Sequence, residues 1–301
     1  MRAVWSFWSK PYLAQRSSTW ATPAQHWLSW ILSLETARRH LPDTALYTDS
    51  AGANLLVDRL GLEFREVSTA LDDLADQDPG WWALGKLRAY ELQTAPFAHI
   101  DSDVFLWKAL PDRMLRADVF AQNPEYVEHY YHPQCLEDSL AAGKGTWLPI
   151  EWRWFREQGP GQYAPCCGIV GGRNVAFLRD YARKAIKMVE HRSNRRALGR
   201  FEDKPGHMIL IEQYFLSACL GYRRESAEYL FESWDQATNP FHAAQLGFTH
   251  LIGSAKKDEW IARRVEARVK KEYPGLFARV PRVLAALTRG AEIPSRAPVQ
   301  S

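Results

Sequence analysis

The chain has 301 residues, 46% of them hydrophobic, which suffices for a full core and lies near the upper end of what one domain covers. Its 38 basic and 35 acidic residues nearly cancel to +3, which argues against the strong positive field of a nucleic-acid binder. Cys135, Cys166, Cys167 and Cys219 are few and irregularly spaced, and disulfide geometry disfavours pairing of the adjacent Cys166 and Cys167. A reducing, cytoplasmic setting is therefore expected. The opening MRAVWSFWSKPYLAQR has too short an apolar stretch for a signal or anchor, and no later segment reads as a membrane span. Thirteen tryptophans suit flat faces that stack on sugars or bases as well as ordinary packing.

In chain order, Ala3 to Trp8 reads as a first strand, and Thr22-Pro23 opens a helix through His40 with Trp27, Ile31, Leu34 and Ala37 at helical spacing. Ala45 to Asp49 is a second strand, followed by a helix through Leu60 and a third strand at Glu63 to Val67. An aspartate-rich loop leads to a helix from about Trp82 to Gln93, then to the strand Phe97 to Ile100, which runs into Asp101-Ser102-Asp103. Trp107 to Tyr163 is aromatic and rich in proline and glycine, and is expected to form loops and short strands. Gly168 to Gly172 is a short apolar run closed by glycines. Helices follow at Val175 to Arg192, Ile209 to Leu220 and Trp260 to Tyr273, with a low-complexity tail from Glu292. Alternating strands and helices predict an α/β fold with a mostly parallel sheet. A main domain over 1–257 and a helical extension and tail over 258–301 are expected.

Two aspartates in this spacing arise by chance about once in such a chain. Asp76-Gln77-Asp78 has the same spacing, but it lies in the polar stretch LDDLADQDPG, where solvation explains it. Asp101 and Asp103 instead stand between FAHI and VFLW, where ionised carboxylates are costly unless paired or metal-bound. In an extended segment i and i+2 share a side, so both carboxylates would converge on one hard cation, Mn2+ or Mg2+. A water-exposed pair at a strand end is the plainer alternative.

FAHIDSDVFLW resembles the Asp-x-Asp strand end of GT-A glycosyltransferases, whose metal bridges two carboxylates and a nucleoside diphosphate. Lys86-Leu87-Arg88 resembles the basic position near their donor, and Cys166 to Gly172 their small-residue strand. His250-Leu251-Ile252-Gly253-Ser254-Ala255-Lys256 resembles the His-x-x-Gly-x-x-Lys pattern of the glycogenin-like and bacterial galactosyltransferase-like retaining families. The resemblance covers roughly Arg2 to Lys257 and implies a GT-A mixed sheet flanked by helices. It also implies that His250 completes a metal site with Asp101 and Asp103 while Lys256 contacts the diphosphate. Where the relatives carry Pro-Trp after the lysine this chain has Lys257-Asp258, and Cys-Cys stands for their Asn-Ser or Asn-Cys, which suggests a branch of its own.

Glu212-Gln213 resembles the acidic-Gln pair near the reacting sugar, or is a solvated helix face. Trp5, Ser6 and Phe7, with Asp49 and Ser50, lie at strand ends where doubly wound sheets hold nucleosides, although Trp5 and Phe7 read equally as core. Gly253 would let backbone approach a phosphate, and His99 is a core or supporting histidine. Trp147, Trp152, Trp154 and Phe155, interleaved with charges, could stack an acceptor or form a packed loop. The basic stretch from Lys256 to Lys271, with Ile261, Val265 and Val269, is a peripheral membrane or partner helix, or a helix packed on the domain.

Together these readings give a metal-dependent hexosyltransferase. It would move a sugar from a nucleoside-diphosphate donor, with a UDP-sugar favoured, to a glycan, lipid or protein acceptor. Asp103, Glu212 and Lys256 would serve the chemistry, and Trp5, Ser6, Phe7, Asp49, Lys86, Arg88, Gly253 and Lys256 would hold the donor. Two alternatives stand beside it: a non-catalytic GT-A-like protein that binds a glycan or nucleotide, and a nucleotidyltransferase, which the absence of a glycine-rich phosphate loop in WSFWSKPYLAQR disfavours.

Overall fold

The computed structural model describes residues 1–14, 19–127, 131–159 and 161–288; the expected tail, from Glu292, lies outside them. Its strands are β1 (Arg2–Phe7), β2 (Thr44–Thr48), β3 (Glu66–Ser68), β4 (Phe97–Ile100), β5 (Val104–Leu106), β6 (Val119–Ala121), β7 (Pro124–Tyr126), β8 (Tyr163–Pro165), β9 (Ile169–Gly172), β10 (Ala227–Tyr229) and β11 (Phe248–His250). The chain divides into two compact units. An amino-terminal unit combines Arg2–Asp76, Ile100–Ala109 and the chain from Ala244 onward, and a central unit combines Gln77–His99 with Leu110–Ala243.

In the amino-terminal unit β1, β2 and β3 pair in parallel, with Val4 beside Ala45 and Ala45 beside Glu66. Every residue of β2 is buried, as expected of a parallel strand covered on both faces. The helix Pro23–Ala37 begins with proline in its first turn, where a missing N–H costs nothing, and it buries Trp27, Trp30, Ile31 and Leu34. It stops at Ala37, short of the expected His40, as Arg38 N–H closes on the Leu34 carbonyl. The helices Glu259–Glu272 and Val280–Thr288 pack on it. The former turns Ala262, Val265 and Val269 inward, and Gln25 Nε2 donates to the Ala262 carbonyl at 3.0 Å. Its outer face keeps Arg263, Arg264, Lys270 and Lys271 exposed, with Trp260 beneath Arg264.

The central unit has mixed pairing. Its strands run in the order β10-β6-β9-β4, with β10 parallel to β6 and β6 antiparallel to β9. The expected glycine-closed run is β9. A Cβ on Gly171 would stand 2.0 Å from the Phe97 carbonyl, and Gly172 has φ +149 against the Asp118 carbonyl, so only glycine fits either position. The helices Leu84–Glu91 and Val175–Glu190 pack together. The aromatic stretch expected to form loops and short strands does contain the short strands β6 and β7, but among its described residues it also holds three helices, Asp112–Arg116, Pro133–Ala142 and Ile150–Arg156, each started by proline or by the residue just after one. The expected helix Ile209 to Leu220 is instead the middle of a longer path: Lys204–Ile209, a π turn at Leu210–Tyr214, then Phe215–Arg223. The molecule is thus α/β with mixed strand pairing and flanking helices, and among the described residues no helix is long and apolar enough to cross a membrane.

Candidate metal centre

Asp101-Ser102-Asp103 was expected to be extended. It is a turn, closed by Val104 N–H on the Asp101 carbonyl at 3.0 Å. Hydroxyls of the helix Pro23–Ala37 explain why. Ser29 Oγ donates to the Ser102 carbonyl at 2.6 Å, and Ser33 Oγ donates to the Asp101 carbonyl at 2.9 Å. Ser33 also accepts the Trp5 indole N–H at 2.9 Å, and Thr36 Oγ1 accepts Leu106 N–H at 3.0 Å. Ser29, Ser33 and Thr36 are all fully buried and lie four and three residues apart, hence on one helix face. Sequence reasoning missed these three; a polar stripe inside an otherwise apolar helix was the available signal.

His250 reaches the aspartates because β11 pairs antiparallel with β5, placing His250 beside Val104 and Phe248 beside Leu106. Leu251 N–H bonds the Asp103 carbonyl at 3.0 Å, and Trp107 Nε1 donates to Thr249 Oγ1 at 3.0 Å, so the ladder is held at both ends. The His250 Nε2 to Asp103 Oδ1 distance is 3.6 Å, and potential ligand atoms of Asp101, Asp103 and His250 lie within 4.8 Å of one another. Two carboxylate oxygens and an imidazole nitrogen suit Mn2+ or a similar hard to borderline cation.

Beyond β11 the chain makes a 3₁₀ turn, Gly253–Lys257, whose entry at Gly253 has φ +54 and open space where a side chain would stand. The turn delivers Lys256 Nζ to 2.6 Å from Asp103 Oδ2 and 5.5 Å from the Trp20 ring centre, while Ala21 N–H bonds the Lys256 carbonyl at 2.9 Å. Burial alone would raise the Asp103 pKa, but the Lys256 ammonium and His250 hold it below the usual carboxylate value. His26, stacked on Tyr12 at 4.3 Å, is pushed down to about 3 by burial and then by Lys256, and its ring is neutral at ordinary pH.

The remaining expected site residues have other surroundings. Trp5 is wholly buried, and Phe7 packs among Tyr12, His26, Trp27 and Trp30; Ser6 is half-buried. Asp49 caps the turn Ser50–Ala53, accepting Gly52 N–H at 2.6 Å together with the Ser9 N–H and hydroxyl at 2.9 and 2.8 Å. Burial raises its pKa despite those bonds.

In the central unit Lys86 Nζ meets Glu212 at 2.6 Å, both buried, and donates to the Cys167 carbonyl at 3.1 Å. Glu212 is therefore an inward residue of the π turn, and not on a solvated face. Arg88 is held by Glu91 and by both oxygens of Glu190. His99 is buried, edge-on to Tyr90 at 5.0 Å, and its pKa is lowered by burial and then by Lys86. Tyr131 donates to Glu125 at 2.5 Å and contacts Gln213, a buried polar group that the sequence did not single out. Of the aromatic cluster, Trp152 is fully buried with its N–H on Glu137, and Trp147 stacks on His191. Asp78 of Asp76-Gln77-Asp78 is tied to Lys204 at 2.6 Å.

Residues 1–283 match a family described as "Family of unknown function (DUF6734)". No curated protein matches. Among solved structures, the galactosyltransferase LgtC in complex with donor and acceptor sugar analogs is 11% identical with a TM-score of 0.44, over 92% of this chain and 100% of that one. An active-site mutant of LgtC is 11% identical with a TM-score of 0.42, over 90% of this chain and 96% of that one.

Proposed function

We propose that this chain, which belongs to the DUF6734 family, is a GT-A-type glycosyltransferase that moves a sugar from a nucleoside-diphosphate donor, with a UDP-sugar favoured, to an acceptor hydroxyl on a glycan, lipid or protein. The observation that carries the reading is the convergence of Asp101, Asp103 and His250, residues distant in sequence, with Lys256 at the same carboxylate. Asp101, Asp103 and His250 would hold Mn2+ or Mg2+. When bound, the ion supplies charge neutralisation for a leaving diphosphate. Lys256 would bind the diphosphate as a point charge, and Gly253, lacking a side chain in an open stretch, would let backbone approach it. The Ser29 and Ser33 hydroxyls would keep the aspartate turn rigid, so that both carboxylates are oriented before substrate arrives.

Glu212, its charge balanced by Lys86, would act electrostatically rather than as a free nucleophile. Ser6 and the end of β1 would border the nucleoside, with Trp5, Phe7 and Asp49 supporting that edge from within and Arg88 steadying the helix that carries Lys86. The exposed basic face around Arg263, Arg264, Lys270 and Lys271, with Trp260, would give a cytoplasmic enzyme peripheral contact with an anionic membrane. A thermal-shift series of nucleoside diphosphates and their sugars, with and without Mn2+, tests the reading, since ligand binding to the native state raises the melting temperature. Stabilisation by a UDP-sugar that needs Mn2+ and disappears in Asp103→Asn is expected. Failure of every nucleotide to stabilise the protein in Mn2+ would end it.

A further inference from the structure

Asp103 is buried, and both its carboxylate oxygens are engaged by groups of the chain itself: Oδ2 by the Lys256 ammonium at 2.6 Å, and Oδ1 faces His250 Nε2 at 3.6 Å. An entering divalent cation needs at least one of those oxygens, and an ammonium left beside it would repel it at close range. Lys256 is also the more solvent-accessible partner, its side chain 23% exposed against 7% for Asp103. It sits in a short turn entered through Gly253, whose left-handed backbone sets the direction from which the side chain reaches Asp103.

From this geometry we infer that Lys256 is a resident counterion occupying the cation site, so that the ion enters only as the ammonium leaves Asp103 for an incoming diphosphate. The inference rests on the glycosyltransferase reading and adds to it a coupling between ion and anion. Lys256 opposes the ion when no nucleotide is present and favours the ion–diphosphate pair when one is. The Ala21 to Lys256 backbone bond holds the base of the side chain, and the Trp20 ring stands 5.5 Å from Nζ, so the exchange is a swing of the ammonium. An independent metal site would bind its ion first and gain little from the nucleotide. A lysine-guarded one makes the two ligands cooperative, and the coupling is reciprocal by linkage.

Electron paramagnetic resonance of free Mn2+ measures ion affinity without turnover. Wild type, Lys256→Met, Lys256→Gln and Asp103→Asn would be titrated with Mn2+ alone and again with saturating UDP, with circular dichroism confirming that each is folded. Because an ammonium against a buried carboxylate is costly to displace, both lysine variants should bind Mn2+ alone about tenfold tighter than wild type, or more. The gain in Mn2+ affinity on adding UDP should be large in wild type and shrink by about tenfold in the variants. Mn2+ binding equal to or weaker than wild type in both folded lysine variants, with binding still lost in Asp103→Asn, would overturn the counterion role and leave the glycosyltransferase reading standing. Unchanged Mn2+ affinity in Asp103→Asn, with and without UDP, would overturn both.

Discussion

Ser33→Ala asks whether the helix Pro23–Ala37 fixes the aspartate turn. The hydroxyl sits between two partners in a fully buried setting, accepting the Trp5 indole N–H and donating to the Asp101 carbonyl, each at 2.9 Å. Its loss has unequal effects on the two. The indole N–H is left buried without an acceptor, at a cost of about 1–3 kcal/mol. The Asp101 carbonyl keeps its bond from Val104 N–H at 3.0 Å. It therefore loses only one net hydrogen bond, about 1 kcal/mol. Equilibrium unfolding in guanidinium, followed by circular dichroism, should show a loss of about 2–4 kcal/mol. Thr238→Ala is the control, because its hydroxyl bonds the Trp234 carbonyl at 3.0 Å on an exposed helix. It should change stability by no more than about 0.5 kcal/mol. Ser33→Ala should also weaken Mn2+-dependent nucleotide binding, since the turn that aims Asp101 and Asp103 loses its anchor. A Ser33→Ala protein as stable as the control, with unchanged nucleotide binding, would refute the claim that these hydroxyls set the site.

Asp76→Asn combined with Asp78→Asn should leave metal-dependent binding intact; the Asp78–Lys204 bridge is partly exposed, so the double variant should lose at most about 1 kcal/mol in unfolding experiments. Lys86→Met alone strands the buried Glu212 carboxylate and should cost about 3–5 kcal/mol, whereas Lys86→Met with Glu212→Met should recover most of that; strictly additive losses in the double-mutant cycle would contradict the pairing. The buried His26 stays neutral in the folded state with its pKa pushed down from 6.5 to about 3, while in the unfolded chain it takes up a proton below its ordinary value. Its contribution is therefore retained above pH 6.5 and lost progressively as pH falls toward 3. His26→Phe should flatten that acid limb of the stability profile, and an identical profile for the two proteins would argue against it.

The strands and helices of the amino-terminal unit were legible where apolar periodicity was strong, as in Arg2–Phe7, Pro23–Ala37 and Thr44–Thr48. The short pairings were not. Strands β5 and β11 have three residues each and gain their meaning only from one another, and that ladder is what brings His250 to Asp103. Local pattern cannot report a partner so far along the chain. The turn at Asp101 was misread as extended because its cause lies in three hydroxyls on a separate helix. Glu212 was open to being read as a surface residue because regular helical spacing does not anticipate the π turn Leu210–Tyr214 that carries it inward to Lys86. The composition of Pro133–Ala142 and Ile150–Arg156, rich in prolines and aromatics nearby, hid two helices whose prolines stand at their starts, where proline favours a helix.

The most direct test of the central claim is calorimetric titration of UDP into the wild-type protein and into Asp103→Asn, each in Mn2+ and each in excess chelator. Two carboxylates close together repel a diphosphate unless a cation stands between them, with Lys256 aiding only once it is released from Asp103. The account predicts binding by wild type in Mn2+, and none in chelator or in the folded Asp103→Asn protein. Equal UDP affinity with and without Mn2+, or undiminished Mn2+-dependent binding by Asp103→Asn, would contradict it.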